Sequence, residues 1–292
     1  MLTVMLGTVT AALFGSADFL GGLASRRRPA LLVSGVMFAT GVVLFSALLL
    51  VVRPAAVGRG DVVLGVMSGV FGTVGVFALY EALAIGRMSV VAPLTAALSG
   101  AGPAAYDLAR GSHVGTPGLV GLALALVAVV VVSTTTGTVD EHGMPPTAVA
   151  LSVLAGSMFA CSLVALSMTS RVSGFAPLLV ARVVGTALFG IAIFVRRRDV
   201  FAAGAGRGAS SGIGAADGVR MALAAGVLDA TANVTILSAI RIGPLAVAAV
   251  VGGLYPVATM LLARAILAER LKRHQVLGVA LALVAVVLTA LP

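Results

Sequence analysis

Ten stretches of this chain run for about twenty residues with little or no charge: 2–24, 30–52, 62–85, 89–107, 114–136, 148–169, 175–195, 219–240, 245–266 and 274–291. About twenty apolar residues in a helix match the hydrocarbon thickness of a bilayer. Lipid offers no partner for backbone N–H and C=O groups, so only helices or closed barrels can span it. A barrel strand alternates in polarity over about ten residues, whereas these runs are apolar all round. The expected fold is an all-α polytopic membrane protein with ten transmembrane helices. Composition agrees: 60% of residues are hydrophobic and 10% charged, against about a quarter charged in a soluble domain. The first run lacks a basic leader and nine more follow, which reads as a retained span rather than a signal peptide.

The octet ALALVAVV occurs at 123–130 and again at 280–287. At that same offset of 157, residues 69–135 lie over 226–292 without a gap, with 17 identities in 67 positions. Val70 falls on Val227, Ala82 on Ala239, Ile85-Gly86 on Ile242-Gly243 and Gly121 on Gly278. Nearer the start of each half the offset is 145: Phe14 falls on Phe159, and Ser25-Arg26 on Ser170-Arg171. Self-similarity at a fixed offset is how an internal repeat appears in sequence. The segment TGTVDEHGMPP (137–147), with its glycines and prolines, has the composition of a turn and separates five spans from five. The expected domains are therefore 1–136, a linker 137–147, and 148–292. Five is odd, so the second half must enter the membrane in the opposite sense. Two inverted five-helix repeats are an architecture of secondary transporters.

The formal net charge is +9, and most basic residues sit between spans. Loops facing anionic lipid account for that better than nucleic acid does, so no nucleic-acid partner is expected. The single cysteine, Cys161, lies within a span and permits no internal disulfide. His113, His142 and His274 are in separate loops without ligand spacing, so neither a metal nor a cofactor is expected. Residues 208–212 read GASSG, but a nucleophile elbow needs a strand before it and a helix after it, and this stretch lies in a Gly/Ala/Ser-rich loop.

Residues 239–288 carry Ala239, Gly243, Ala248, Leu254-Tyr255-Pro256, Glu269 within LAERL, Gln275 and Gly278. This segment resembles the closing part of EamA-type transporters of the drug/metabolite transporter superfamily. ALYEALAIGRMSVVAPLTAAL (78–98) echoes it in the first half. One departure is that Ser112 stands opposite Glu269, where the family has a second glutamate. The resemblance implies a ten-span carrier for small organic solutes or their export, in the cell membrane, and names no particular substrate.

A charged side chain near the bilayer centre is costly and usually marks a site. Asp229 falls at the middle of its span, Arg182 three residues from the middle of 175–195, and Asp18 about five past the middle of the first. Asn233 is one helical turn beyond Asp229 and shares its face. These residues, with Tyr255 and Glu81, form the expected substrate site. Arg182 would meet a carboxylate and Asp229 an amine, as a zwitterion requires; Asp18 would couple protons, since burial disfavours a charged carboxyl. The alternative for Asp229 and Arg182 is a packing pair that neutralises itself. Glu269, among Arg270, Lys272 and Arg273, reads as a structural ion pair or cap. Pro256, mid-span in the ninth run, and Pro103, late in the fourth, are expected hinge or kink positions. Gly65, Ser68, Gly69, Gly72 and Gly75 give the third span a small-residue face for close packing, first within the bundle and second in a homodimer; either monomer or homodimer is compatible with it.

The function these features favour is a secondary transporter moving a small metabolite or amino-acid-like solute by alternating access. A polytopic enzyme acting on a lipid-linked substrate would need clustered carboxylates, histidine or serine at a membrane face. A flippase would need a cavity opening sideways to lipid.

Overall fold

The computed structural model describes residues 1–25, 28–85, 88–111, 115–133, 145–196 and 215–267, and eight further positions between 277 and 288. Apolar runs become helices: α1 (Leu2–Ser25), α2 (Ala30–Val51), α3 (Arg59–Ile85), α4 (Met88–Ala109), α5 (Thr116–Ser133), α6 (Pro146–Ser167), α7 (Ala176–Val195), α8 (Ala215–Ile242), α9 (Leu245–Gly252) and α10 (Tyr255–Leu267). Six of them, α1, α2, α3, α6, α7 and α8, are long and apolar enough to cross a membrane. The architecture is that of a multi-pass, all-helical membrane protein. The expected count of ten spans is not reached among the described residues, which supply nine, the ninth split into α9 and α10. Of the tenth run, 274–291, eight residues are described, all helical. Most of the linker 137–147, Glu269, the three histidines and the GASSG loop lie outside the described residues.

Prolines set several starts. Pro29, Pro145 and Pro244 stand immediately before α2, α6 and α9, where the missing N–H costs nothing. Between α6 and α7 the chain makes one 3-10 turn at Arg171–Ser173, and Gly174 closes it at φ +53°, a backbone that favours glycine. The ninth run is not merely kinked but interrupted. Gly253 N–H still reaches the carbonyl of Ala249 at 2.9 Å, Leu254 N–H tightens onto Val251 at 3.2 Å, and Pro256 then opens α10 as its second residue. Proline has no N–H for the carbonyl four residues back, so a helix that met it mid-span restarts there. Pro103, by contrast, is buried within a continuous α4.

The close helix pairs come in matched sets. α1 lies on α8 as α6 lies on α3; α2 lies on α8 as α7 lies on α3; α4 packs on α6 as α9 and α10 pack on α1; α2 and α7 pack on each other. Exchanging helices 1–4 for 6–10 leaves this set unchanged. Individual contacts follow the two sequence offsets. A side chain added at Gly102 would meet Ala160 at 2.7 Å. Adding 157 to the first residue and subtracting 145 from the second gives Thr259 and Gly15, and there Thr259 Oγ1 donates to the Gly15 carbonyl at 3.0 Å. Small residues allow such approaches in lipid, where dispersion contacts and interhelical hydrogen bonds replace the hydrophobic drive. Two hydroxyl pairs add polar ties: Ser68 to Ser162 between α3 and α6 at 2.7 Å, and Thr10 to Thr235 between α1 and α8 at 2.8 Å.

Candidate functional site

A cavity of about 1030 Å³ of empty space, counted with its open mouth, lies among α1, α2, α3, α4, α6, α8 and the α9–α10 junction. Its aromatic walls are Phe14, Phe38, Tyr80, Phe159 and Tyr255. Phe14 and Phe159 are the residues paired by the 145 offset, one from each half. The α9–α10 interruption reaches the wall through Gly252, Gly253 and Tyr255, while Ser99 of α4, 157 positions before Pro256, faces it from the other half. Tyr255 and Ser99 thus line the same cavity from opposite halves, with Ser99 Oγ donating to the Ala96 carbonyl of its own helix at 3.0 Å.

Asp229, near the middle of α8, lines the cavity, and its Oδ2 lies 2.5 Å from Arg182 Nη2. The two helices do not pack against each other to achieve this; α7 packs on α2 and α3. The arginine reaches across α2 instead. Its stem passes over Gly41, where an added side chain would come within 3.0 Å of Arg182 Cδ, and its guanidinium carbon stacks 4.3 Å from the Phe38 ring centre. Phe38 is braced edge-on by Phe189 of α7 at 5.1 Å. Arg182 is thus buried, with its charge divided between a carboxylate and a ring face. A buried charge pair needs such geometry to offset its desolvation.

Asn233 also lines the cavity, but its Nδ2 is held by its own helix, donating to the Asp229 carbonyl at 2.8 Å. Asp18 enters the cavity from α1, near enough to Asp229 for the two charges to interact. Tyr80 faces it from α3, its hydroxyl against Gly21, one turn from Asp18, and 3.8 Å from the sulfur of Met37. The structure therefore brings together Asp229, Asn233, Asp18 and Tyr255, with Arg182 behind Asp229. Glu81 is elsewhere: it is exposed, and it is not among the residues lining the cavity. The sequence reading named no site role for Thr10, Ser34, Ser99 and Ser162, which supply small polar points on the wall. Uncharged hydroxyls at these positions do not stand out from the packing serines and threonines around them; only the repeat register of Ser99 offered a signal.

Asp107, close to a span end, has a different use. Its Oδ2 accepts from the Ala246 N–H at 2.8 Å, which caps the start of the wholly buried α9 where the helix dipole favours negative charge.

A model of the EamA-like transporter family matches residues 146–291, half of the chain. No curated protein matches the chain by sequence. A chain of known crystal structure, described only as a protein, covers 99% of this one and is itself covered to 96%, with a TM-score of 0.77 at 17% identity. At that identity the likeness is one of fold.

Proposed function

The chain belongs to the EamA-like transporter family, and from that premise we propose that it is a secondary carrier of a small organic solute, exporting it across the plasma membrane by alternating access. The observation that carries this reading is the position of the cavity: the most extensive helix pairs around it have their counterparts when the halves are exchanged. Matched packing on both sides of one central site supports ten spans in two inverted five-helix repeats, 1–136 and 148–292, rocking about the site. Asp229, Arg182, Asn233 and Tyr255 form the solute site, Asp18 couples protons, and the α9–α10 interruption at Pro256 serves as the hinge, with Pro103 as its counterpart in α4. The carrier acts as a monomer or homodimer.

The test is flux. Purified protein in sealed vesicles should accumulate or release a radiolabelled solute from a panel of amines, amino acids and carboxylates, with saturation and counterflow. Turnover of a lipid-linked substrate without any solute flux would instead identify an enzyme.

A further inference from the structure

We propose that the cavity selects an organic monocation: an ammonium group on an aromatic or branched apolar body, with the ammonium seated between the carboxylates of Asp18 and Asp229. This rests on the carrier reading and names its substrate class. The lining residues include two carboxylates, Asp18 and Asp229, and no lysine, arginine or histidine. One cation stands behind them, Arg182, and it is already engaged: Asp229 holds its Nη2, the Phe38 ring covers its guanidinium, and Gly41 fixes its stem. An arginine held in this way is in poor position to clasp a solute carboxylate. Asp18 has no ion-pair partner among the described residues. With Asp18 deprotonated, the site carries one carboxylate in excess. In a low-dielectric cavity, that excess attracts a cation and repels an anion far more strongly than it would in water.

The walls fit the same class. Phe14, Phe159, Tyr80 and Tyr255 line the same cavity as the two carboxylates, and ring faces attract ammonium groups. A zwitterion would bring its own carboxylate into a cavity with no free cation to receive it.

The experiment uses full-length protein in lipid nanodiscs and three probes that share a phenyl-alkyl body: 2-phenylethylamine, phenylalanine and 3-phenylpropionate. Titration calorimetry should give at least tenfold tighter binding of the amine than of either other probe. Asp18→Asn should weaken amine binding at least tenfold, while Asp18→Glu, which keeps the charge, should retain it; both should unfold near the wild-type temperature. Equal or tighter binding of phenylalanine or phenylpropionate overturns the proposal, as does unchanged amine binding in Asp18→Asn or failure of the amine to bind at all. Vesicle flux with the same probes separates the two readings. Amine binding without flux keeps the cation site and sinks the carrier; flux of phenylalanine or phenylpropionate without amine binding keeps the carrier and sinks the cation site.

Discussion

Helices α3 and α8 hold matching places in the bundle and both line the cavity, yet only α8 brings a charged side chain to it. α3 lies on α6 and α7, α8 on α1 and α2. At the offset of 157, Gly65, Gly69, Gly72 and Gly75 stand opposite Ala222, Gly226, Asp229 and Ala232. Both helices use the second of these positions alike. A side chain added at Gly69 would lie 2.7 Å from the Ala181 carbonyl, and one at Gly226 would lie 3.0 Å from Met37 Cα. They differ at the third. The nearest atom to a side chain at Gly72 is Ser162 Oγ at 3.6 Å, so there is room at this register, one turn before the cavity-lining Val76. The first half leaves it empty and the second fills it with a carboxylate. Where the scaffold repeats, chemistry lies in the residues that break the repeat.

The largest effect is expected from breaking the charged side of the comparison. Arg182→Ala leaves Asp229 partly buried without its partner, a loss of about 3 kcal/mol, at the lower end for a stranded charge because the cavity partly hydrates it. Thermal unfolding in detergent should show it, and adding Asp229→Ala should restore most of the stability.

Next is the packing register. Gly69→Ala forces a methyl against backbone and should cost about 1–3 kcal/mol. Gly72→Ala, one turn along, has room and should change stability by about 1 kcal/mol or less, toward stabilisation because alanine favours helix. Unfolding temperatures of the two variants side by side check the contrast; equal losses would mean that the two positions do not differ in room for a side chain.

The smallest effect belongs to the hydroxyl ties. Ser68→Ala and Thr10→Val each remove one interhelical hydrogen bond, worth about 0.6 kcal/mol in a membrane bundle. Matched small losses from the two helix pairs would sharpen the equivalence of α3–α6 and α1–α8.

How far the sequence carries the reader depends on which force sets the feature. Span positions follow from hydrophobic run length alone: 175–195 became Ala176–Val195, and 148–169 became Pro146–Ser167. Depth and opposite charge suffice to place Arg182 beside Asp229, because neither can stay alone in hydrocarbon. The route of that contact was not legible, since Gly41 makes room for the arginine from a third helix. Glu81 shows the limit of depth as a guide. Near the end of a span, a charge can face the membrane surface at little cost, and Glu81 is exposed. Pro256 signalled a bend; the full interruption also needed Gly253, which a window of apolar residues does not distinguish from helix. The small polar points on the wall escaped because uncharged hydroxyls are common on packed faces of membrane helices, as Ser68 and Thr10 show.

The central claim is that Asp229 is part of a solute site and not only half of a structural pair. Folded yield and vesicle flux measured together on Asp229→Asn, Arg182→Ala and the double variant Asp229→Ala/Arg182→Ala test it most directly. The account predicts that Asp229→Asn folds but does not transport, and that the double variant regains its fold and stays inactive. Full transport by Asp229→Asn, or recovery of flux together with fold in the double variant, would contradict it.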